Sequence, residues 1–159
     1  MIKYPIVSDT SAFISLASVT DSNHKRAREI SASIKKDSLT LIVPGEIVTE
    51  LTNTLGKKAS HRKAITTAEK LIQSQEIVIV ETTPPLRLSA LEKFKTQPGS
   101  VSFTDCLVMA FADEFKTKYI FGFDRTFKKN GYIRFGIDKD NIREFSDEEI
   151  EERKKEDKL

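Results

Sequence analysis

The stretch YPIVSDTSAF, residues 4–13, joins an apolar run, an acid and a helix-forming segment. YPIVS (4–8) is typical of a buried strand, and SAFISLA (11–17) is typical of a helix. Asp9 stands where the strand ends, with the hydroxyl residues Thr10 and Ser11 directly after it. This placement suits a metal ligand, but an aspartate after a strand is equally suited to cap the following helix.

Further apolar runs repeat the strand pattern. They are LTLIV (39–43), EIVIV (76–80) and KYIFGF (118–123), with a weaker candidate at NIREF (141–145). Segments of helical length separate these runs. Strands that alternate with helices predict βαβ units, and hence a mainly parallel sheet with helices on both faces. We therefore predict the α/β class, as a three-layer α/β/α sandwich.

Two helices are predicted between the second and third strands. PGEIVTELTNTLGKK and ASHRKAITTAEKLIQSQ should form a helical arm over residues 45–74. Their separation is predicted near Gly56, because glycine commonly ends a helix. A further helix is predicted within residues 84–99, since prolines open this segment and Pro98-Gly99 closes it.

Length and composition limit the class of protein. The 159 residues suffice for one domain, and 38% hydrophobic with 31% charged residues is typical of a globular protein. No apolar run approaches the roughly 18 residues that cross a bilayer, so no membrane span is expected. The first residues lack the pattern of a secretory signal, which favours the cytoplasm. Cys106 is the single cysteine, which excludes a disulfide framework.

We expect one domain over residues 1–145 and a charged tail over residues 146–159. The tail holds seven acids against four bases and opens with a capping box at Ser146 and Glu149. Almost nothing after Ile150 is apolar. The tail is therefore predicted to be helical and exposed.

Four acids stand at the ends of apolar segments: Asp9, Glu50, Asp105 and Asp124. Carboxylates brought within a few ångströms repel one another by roughly 4 kcal/mol per pair at an effective dielectric of about 20. A fold that gathers several of them therefore usually binds a divalent cation. The pattern predicts an enzyme that uses Mg²⁺ or Mn²⁺.

Asp105 and Asp124, like Asp9, also have a purely structural interpretation, whereas helix geometry favours Glu50 over Glu46. In PGEIVTEL, Glu50 lies at the border of the buried helix stripe, whereas Glu46 is predicted to face solvent. Asp105 heads the apolar helix CLVMAFA and would complete a capping box with Ser102. Asp124 would likewise cap the helix that follows FGFD. Such capping roles do not exclude metal binding by the same side chains.

The order and spacing of four motifs make the chain resemble the PIN-domain nucleases, and among them the VapC-like toxin ribonucleases. The motifs are VSDTSAF (7–13), VPxxxxxEL (43–51), TDCLVMAFA (104–112) and FDRTF (123–127). The resemblance spans residues 4–145. It implies that Asp9, Glu50, Asp105 and Asp124 are the catalytic and metal-binding acids, with Ser11 and Thr104 as auxiliary polar groups. Gly122 stands where many relatives have a threonine.

The resemblance implies a Mg²⁺- or Mn²⁺-dependent endoribonuclease, and the toxin of a type II toxin–antitoxin pair. RNA would be the substrate, an antitoxin protein the partner, and a homodimer the expected assembly. The basic residues expected to contact RNA are Lys57, Lys58, Arg62 and Lys63 on the arm, and Arg125, Lys128 and Lys129 beside Asp124.

Other functions remain compatible with the sequence. An RNA-processing nuclease without a toxic role would use the same acids. A non-catalytic PIN-like module would bind RNA or a protein partner, but such a module has little reason to keep four mutually repelling acids. A haloacid-dehalogenase-like phosphatase fits less well, because Asp9-Thr10-Ser11 lacks the second acid of the D-x-D start of that family.

Overall fold

A computed structural model describes residues 4–138 and contains one five-stranded sheet. The strands are β1 (Ile6–Ser8), β2 (Leu41–Pro44), β3 (Ile77–Val80), β4 (Tyr119–Phe121) and β5 (Ile133–Arg134). Their order across the sheet is β3-β2-β1-β4-β5, and every neighbouring pair is parallel. The predicted α/β/α architecture is confirmed.

The apolar runs form strands because the middle of the sheet is covered on both faces. Val7, Val43 and Ile120 are fully buried in the three central strands. Continuous apolar runs of this kind are typical of parallel strands between helix layers. Val7 pairs with both Ile42 and Ile120, so the carboxyl end of β1 lies beside those of its two neighbours.

Helices connect the strands and cover the sheet. They are α1 (Thr10–Ala17), α2 (His24–Lys36), α3 (Gly45–Lys58), α4 (His61–Gln73), α5 (Pro84–Lys95), α6 (Phe103–Glu114) and α7 (Arg125–Lys129). Every residue of α6 from Cys106 to Ala112 is buried, as its apolar sequence predicts. Within residues 4–138, no helix is both long and apolar enough to cross a membrane.

The predicted helical arm is present, and its two helices separate near Gly56 as predicted, but the glycine is not the residue that ends the first of them. Gly56 lies within α3, which ends at Lys58. Helix α4 then begins after Ser60, whose side chain accepts a hydrogen bond from the backbone N–H of Lys63. A side-chain cap satisfies an unpaired helix N–H, so Ser60 sets this boundary and the glycine does not.

The carboxyl-terminal part of the domain has a strand that the apolar pattern does not predict. Strand β5 is two residues long and lies in a basic stretch without alternation, which explains why it is not recognisable in the sequence. The weaker strand candidate at 141–145 and the predicted tail at 146–159 lie outside the described residues.

Candidate active site

Asp9 lies at the carboxyl end of β1 and caps α1. Its backbone N–H donates to the carbonyl oxygen of Phe121 at 2.9 Å, which extends the pairing of β1 with β4. Its Oδ2 accepts hydrogen bonds from Ser11 Oγ at 2.8 Å and from the Ser11 backbone N–H at 3.4 Å. Asp9 is only 5% exposed. The strand and the first turn of α1 therefore hold a buried carboxylate in one orientation.

Burial raises the pKa of Asp9 from its ordinary value of 3.8 to about 6. The hydrogen bond from Ser11 opposes this change, and the negative charge of Asp105 adds to it. Ionising Asp9 therefore costs more free energy than ionising a carboxyl group in water, because the charge is held away from water near a second charge of the same sign. A cation bound here would offset that cost.

Asp105 is the third residue of α6 and forms the predicted capping box. Ser102 Oγ accepts from the Asp105 N–H at 3.0 Å, and Asp105 Oδ2 accepts from the Ser102 N–H at 3.1 Å. Partial burial raises the pKa of Asp105, and the charges of Asp124 and Glu50 raise it further. The charge of Asp105 in turn raises the pKa of Asp9. Asp105 therefore interacts electrostatically with each of the other three acids.

Asp124 and Glu50 approach Asp105 from exposed positions. Asp124 follows β4 and caps α7, its Oδ1 accepting from the Thr126 N–H at 2.8 Å. Glu50 lies on α3 and is exposed. The auxiliary residue Thr104 is the second residue of α6 and is half-buried. The three aspartates are therefore helix-capping residues, and the charges of Asp124 and Glu50 both act on Asp105.

Gly122 brings the end of β4 close to Asp9. A Cβ atom at this position would lie 2.9 Å from the Cβ of Asp9 and 3.0 Å from Cε2 of Phe127. Both distances are shorter than ordinary contacts, so any side chain here would displace one of those residues. The threonine that many relatives have at this position would therefore not fit here unless Asp9 or Phe127 moved.

The donor atoms suit a hydrated divalent cation better than a closed metal cage. Within residues 4–138, no three acidic, histidine or cysteine side chains form a compact metal-binding group. Mg²⁺, however, usually keeps several waters and uses one or two carboxylates together with substrate phosphates. Asp9 and Asp105 supply such oxygen donors, and the buried Oγ1 of Thr10, next to Asp9 in the chain, has no hydrogen-bond partner among the described residues.

Comparison with known proteins identifies the family. Residues 6–131 match the model of the PIN domain. The chain belongs to the PIN-domain family. Its fold is similar to the crystal structure of Mycobacterium tuberculosis VapC20, a toxin that cleaves the sarcin–ricin loop. That match has a TM-score of 0.74 and 22% identity, and covers 81% of this chain and 97% of VapC20. No curated protein sequence matches the chain.

In this PIN domain Glu46 does not face solvent, so that prediction was wrong. Glu46 is half-buried, accepts a hydrogen bond from Thr82 Oγ1, and lies 3.4 Å from Nη2 of Arg87. Thr82 and Arg87 come after β3 in the chain. Nothing in the sequence predicts that this segment lies beside the first turn of α3. Glu50, one turn further along, is the acid of α3 whose charge acts on Asp105.

The predicted RNA-binding residues form two separate groups on the PIN domain. Arg125, Lys128 and Lys129 belong to α7, which Asp124 caps, and all three are exposed. The other group lies where α3 meets α4, and begins about 10 Å along the helix axis from Glu50 at 1.5 Å per residue. Its members are Lys57, Lys58, Arg62 and the half-buried Lys63.

Arg134 contacts the backbone next to Asp124 and is not among the residues predicted from the sequence. Its Nη1 donates to the carbonyl oxygen of Phe123 at 2.8 Å, directly before Asp124. Asp138 holds the same guanidinium, with 2.8 Å between Nη2 and Oδ1. The useful signal would have been the opposite charge of Asp138, four residues after Arg134.

Proposed function

We propose that this PIN domain is an endoribonuclease that depends on Mg²⁺ or Mn²⁺ and serves as the toxin of a type II toxin–antitoxin pair. The observation that carries the proposal is the buried Asp9 carboxylate, whose pKa of about 6 reflects burial and the charge of Asp105. Groups with perturbed pKa values of this origin are characteristic of functional sites. A protein that only bound RNA would gain nothing from this unfavourable charge.

Each residue of the site has a separate role in the proposed phosphodiester hydrolysis. A divalent ion held by Asp9 and Asp105 would activate a water molecule and stabilise negative charge on the phosphate. Ser11 keeps the Asp9 carboxylate oriented for binding. Asp124 would support the ion or its waters from the start of α7, and Glu50 would either ligate the ion or orient the attacking water from α3. No side-chain nucleophile is required, and the expected products carry 5′-phosphate and 3′-hydroxyl ends.

The basic residues supply contacts to the RNA backbone. Arg125, Lys128 and Lys129 offset the acidic charge and contact phosphates near the scissile bond. The second group, on the arm, grips the RNA further from the acids. Phosphate contacts carry no sequence information, so target choice depends on which bases are accessible. Single-stranded or looped RNA is favoured, because its bases are unstacked.

The toxin role is supported by the fold. VapC20 is described as a toxin that cleaves the sarcin–ricin loop, and nearly all of its chain matches this one. An antitoxin partner follows if the role is the same, and a homodimer remains an expectation from the family. Induced expression tests this role in cells: growth arrest by the wild type and not by Asp9→Asn is expected, whereas normal growth with both would favour an RNA-processing nuclease.

Cleavage of a mixed set of structured and single-stranded RNAs tests the activity directly. The wild type, Asp9→Asn and Asp105→Asn are compared in Mn²⁺, Mg²⁺ and EDTA, with Asp37→Asn as an exposed control at the end of α2. Cutting should require metal and be lost only in the first two variants. RNA binding without cutting under any metal would instead support the binding module.

A further inference from the structure

Phe123 connects two of the acids through its backbone. It lies between Gly122 and Asp124, in the short segment from β4 to α7. The Phe123 N–H donates to Ser11 Oγ at 3.3 Å, and Ser11 Oγ in turn donates to Asp9 Oδ2 at 2.8 Å. The carbonyl oxygen of Phe123 accepts from Arg134 Nη1 at 2.8 Å. Both polar groups of this residue are therefore held, one from the Asp9 side and one from β5.

Arg134 is itself held rigidly. Its Nε lies 3.1 Å from Asp138 Oδ2 and its Nη2 lies 2.8 Å from Oδ1, which is a two-bond pairing of guanidinium with carboxylate. Asp138 Oδ2 also accepts from the Arg134 backbone N–H at 2.9 Å. The two side chains are 13% and 8% exposed. A planar guanidinium that is largely buried and held by two hydrogen bonds has little freedom to move. Its remaining nitrogen, Nη1, therefore stays directed at the carbonyl of Phe123.

These contacts determine where Asp124 lies. A peptide group is planar, so a bond to the Phe123 N–H fixes the plane before Phe123, and a bond to its carbonyl fixes the plane after it. The Cα atom of Asp124 belongs to the second plane. The ring of Phe123 also packs edge-on against Phe121, with 6.5 Å between centroids. The start of α7 is thus tied to Asp9 on one side and to Arg134 on the other.

We propose that Arg134, held by Asp138, is a positioning residue that fixes Asp124 relative to Asp9 and so sets the affinity of the site for a divalent cation. The inference rests on the proposed function, because it treats Asp124 as a group that supports the ion. Arg134 touches neither the ion nor the RNA in this account. It acts through the Phe123 carbonyl, and its effect is on metal affinity before any RNA is bound.

Two variants separate geometry from charge. Arg134→Lys keeps the positive charge but loses the planar fork, so a charge effect would survive in it and a positioning effect would not. The double variant Arg134→Gln, Asp138→Asn removes both charges, which leaves no unpaired buried ion to unfold the protein. Arg26→Gln is the matched control, because Arg26 Nη2 also donates to a backbone carbonyl, that of Gly136, at 2.8 Å.

Two readouts are measured on each folded variant, neither of them cleavage. Hydrogen exchange by NMR, without metal, follows the amides of Phe123 and Thr126, the latter bonded to Asp124. Calorimetry then measures the affinity for Mn²⁺. We expect faster exchange at both amides and about tenfold weaker Mn²⁺ binding in both Arg134 variants, the loss typical when a group that orients a metal ligand is removed. Arg26→Gln should match the wild type in both.

The outcomes distinguish this inference from the proposed function. If the wild type binds Mn²⁺ and both Arg134 variants bind it equally well, the positioning role is wrong while the nuclease proposal stands. If Arg134→Lys alone behaves like the wild type, the arginine acts by charge, and the positioning role is again overturned. If the wild type does not bind Mn²⁺ at all, the proposed function fails together with the inference.

Discussion

Asp9 and Glu50 are predicted members of one site, yet they lie in opposite surroundings. Asp9 is buried at a strand end, bonded to Ser11 and packed against Gly122. Glu50 is exposed on the face of a helix. The strand side of the site is therefore built before any ligand arrives, whereas the α3 side is open to water. The largest electrostatic cost in the site therefore lies at Asp9, on its strand side.

This difference should appear in the energetics of ligand binding. Charges that are withdrawn from water interact more strongly than exposed ones, because the effective dielectric around them is lower. Exposed charges are also screened by salt. Asp9 should accordingly contribute more to holding a cation than Glu50, although both carry one negative charge when ionised.

The largest expected effect is on catalysis. Asp9→Asn should lower kcat/KM for RNA cleavage by about a hundredfold or more, the loss typical of one preorganised electrostatic group. Glu50→Gln should lower the same kcat/KM only about tenfold. Single-turnover cleavage in Mn²⁺ measures both, with Glu114→Gln as an exposed control on α6. Equal losses in the two variants would contradict the division of the site into a built side and an open side.

The next effect is on stability as a function of pH. The pKa of Asp9 is about 6 when folded and is ordinarily 3.8, so the folded state binds this proton more tightly. The stability linked to Asp9 is fully present below pH 3.8 and is lost as the pH rises through about 6. The difference corresponds to about 3 kcal/mol.

Urea unfolding of the metal-free protein in EDTA measures this contribution. Between about pH 4 and pH 8, the free energy of unfolding of the wild type should fall relative to that of Asp9→Asn. Mn²⁺ added at the higher pH should restore stability to the wild type and not to the variant. Parallel pH profiles for the two proteins would show that Asp9 is not a strained carboxylate.

A smaller effect is expected where β4 approaches Asp9. Gly122→Ala would place a Cβ 2.9 Å from that of Asp9 and 3.0 Å from the ring of Phe127. Overpacking of this kind costs about 1–3 kcal/mol. Gly99→Ala is the control, because a Cβ there meets nothing within 4 Å. Thermal unfolding compares the two, and similar melting temperatures would mean that the strand side of the site tolerates movement.

The smallest effect belongs to the open side. Gly56→Ala places a Cβ on α3 at 3.9 Å from that of Ala64 on α4, which is an ordinary contact between the two helices of the arm. Replacing a glycine in a helix interior should stabilise the protein by about 0.5–1 kcal/mol. Urea unfolding at fixed pH measures the change, and RNA cleavage should stay at the wild-type rate. Destabilisation would mean that the chain does need a flexible residue at this point of the arm.

Much of the fold could be predicted because its signals are local. The apolar runs identify four of the five strands, and the capping box of Ser102 with Asp105 is recognisable within four residues. Strand β5 could not be predicted, since a two-residue strand depends on its pairing with β4 rather than on its own sequence. The helix break near Gly56 could be predicted, but the residue that makes it could not, because helix ends depend on which groups cap them.

Local sequence patterns were enough to predict the order of the first four strands, the parallel class of the sheet and the placement of Asp9 and Asp124 after strands. Only the tertiary structure decided that Phe123 bonds to Ser11, 112 residues away, that Thr82 bonds to Glu46, and that Gly122 has no room for a side chain. Propensity and periodicity act over one element, whereas these contacts arise only when separate elements pack together.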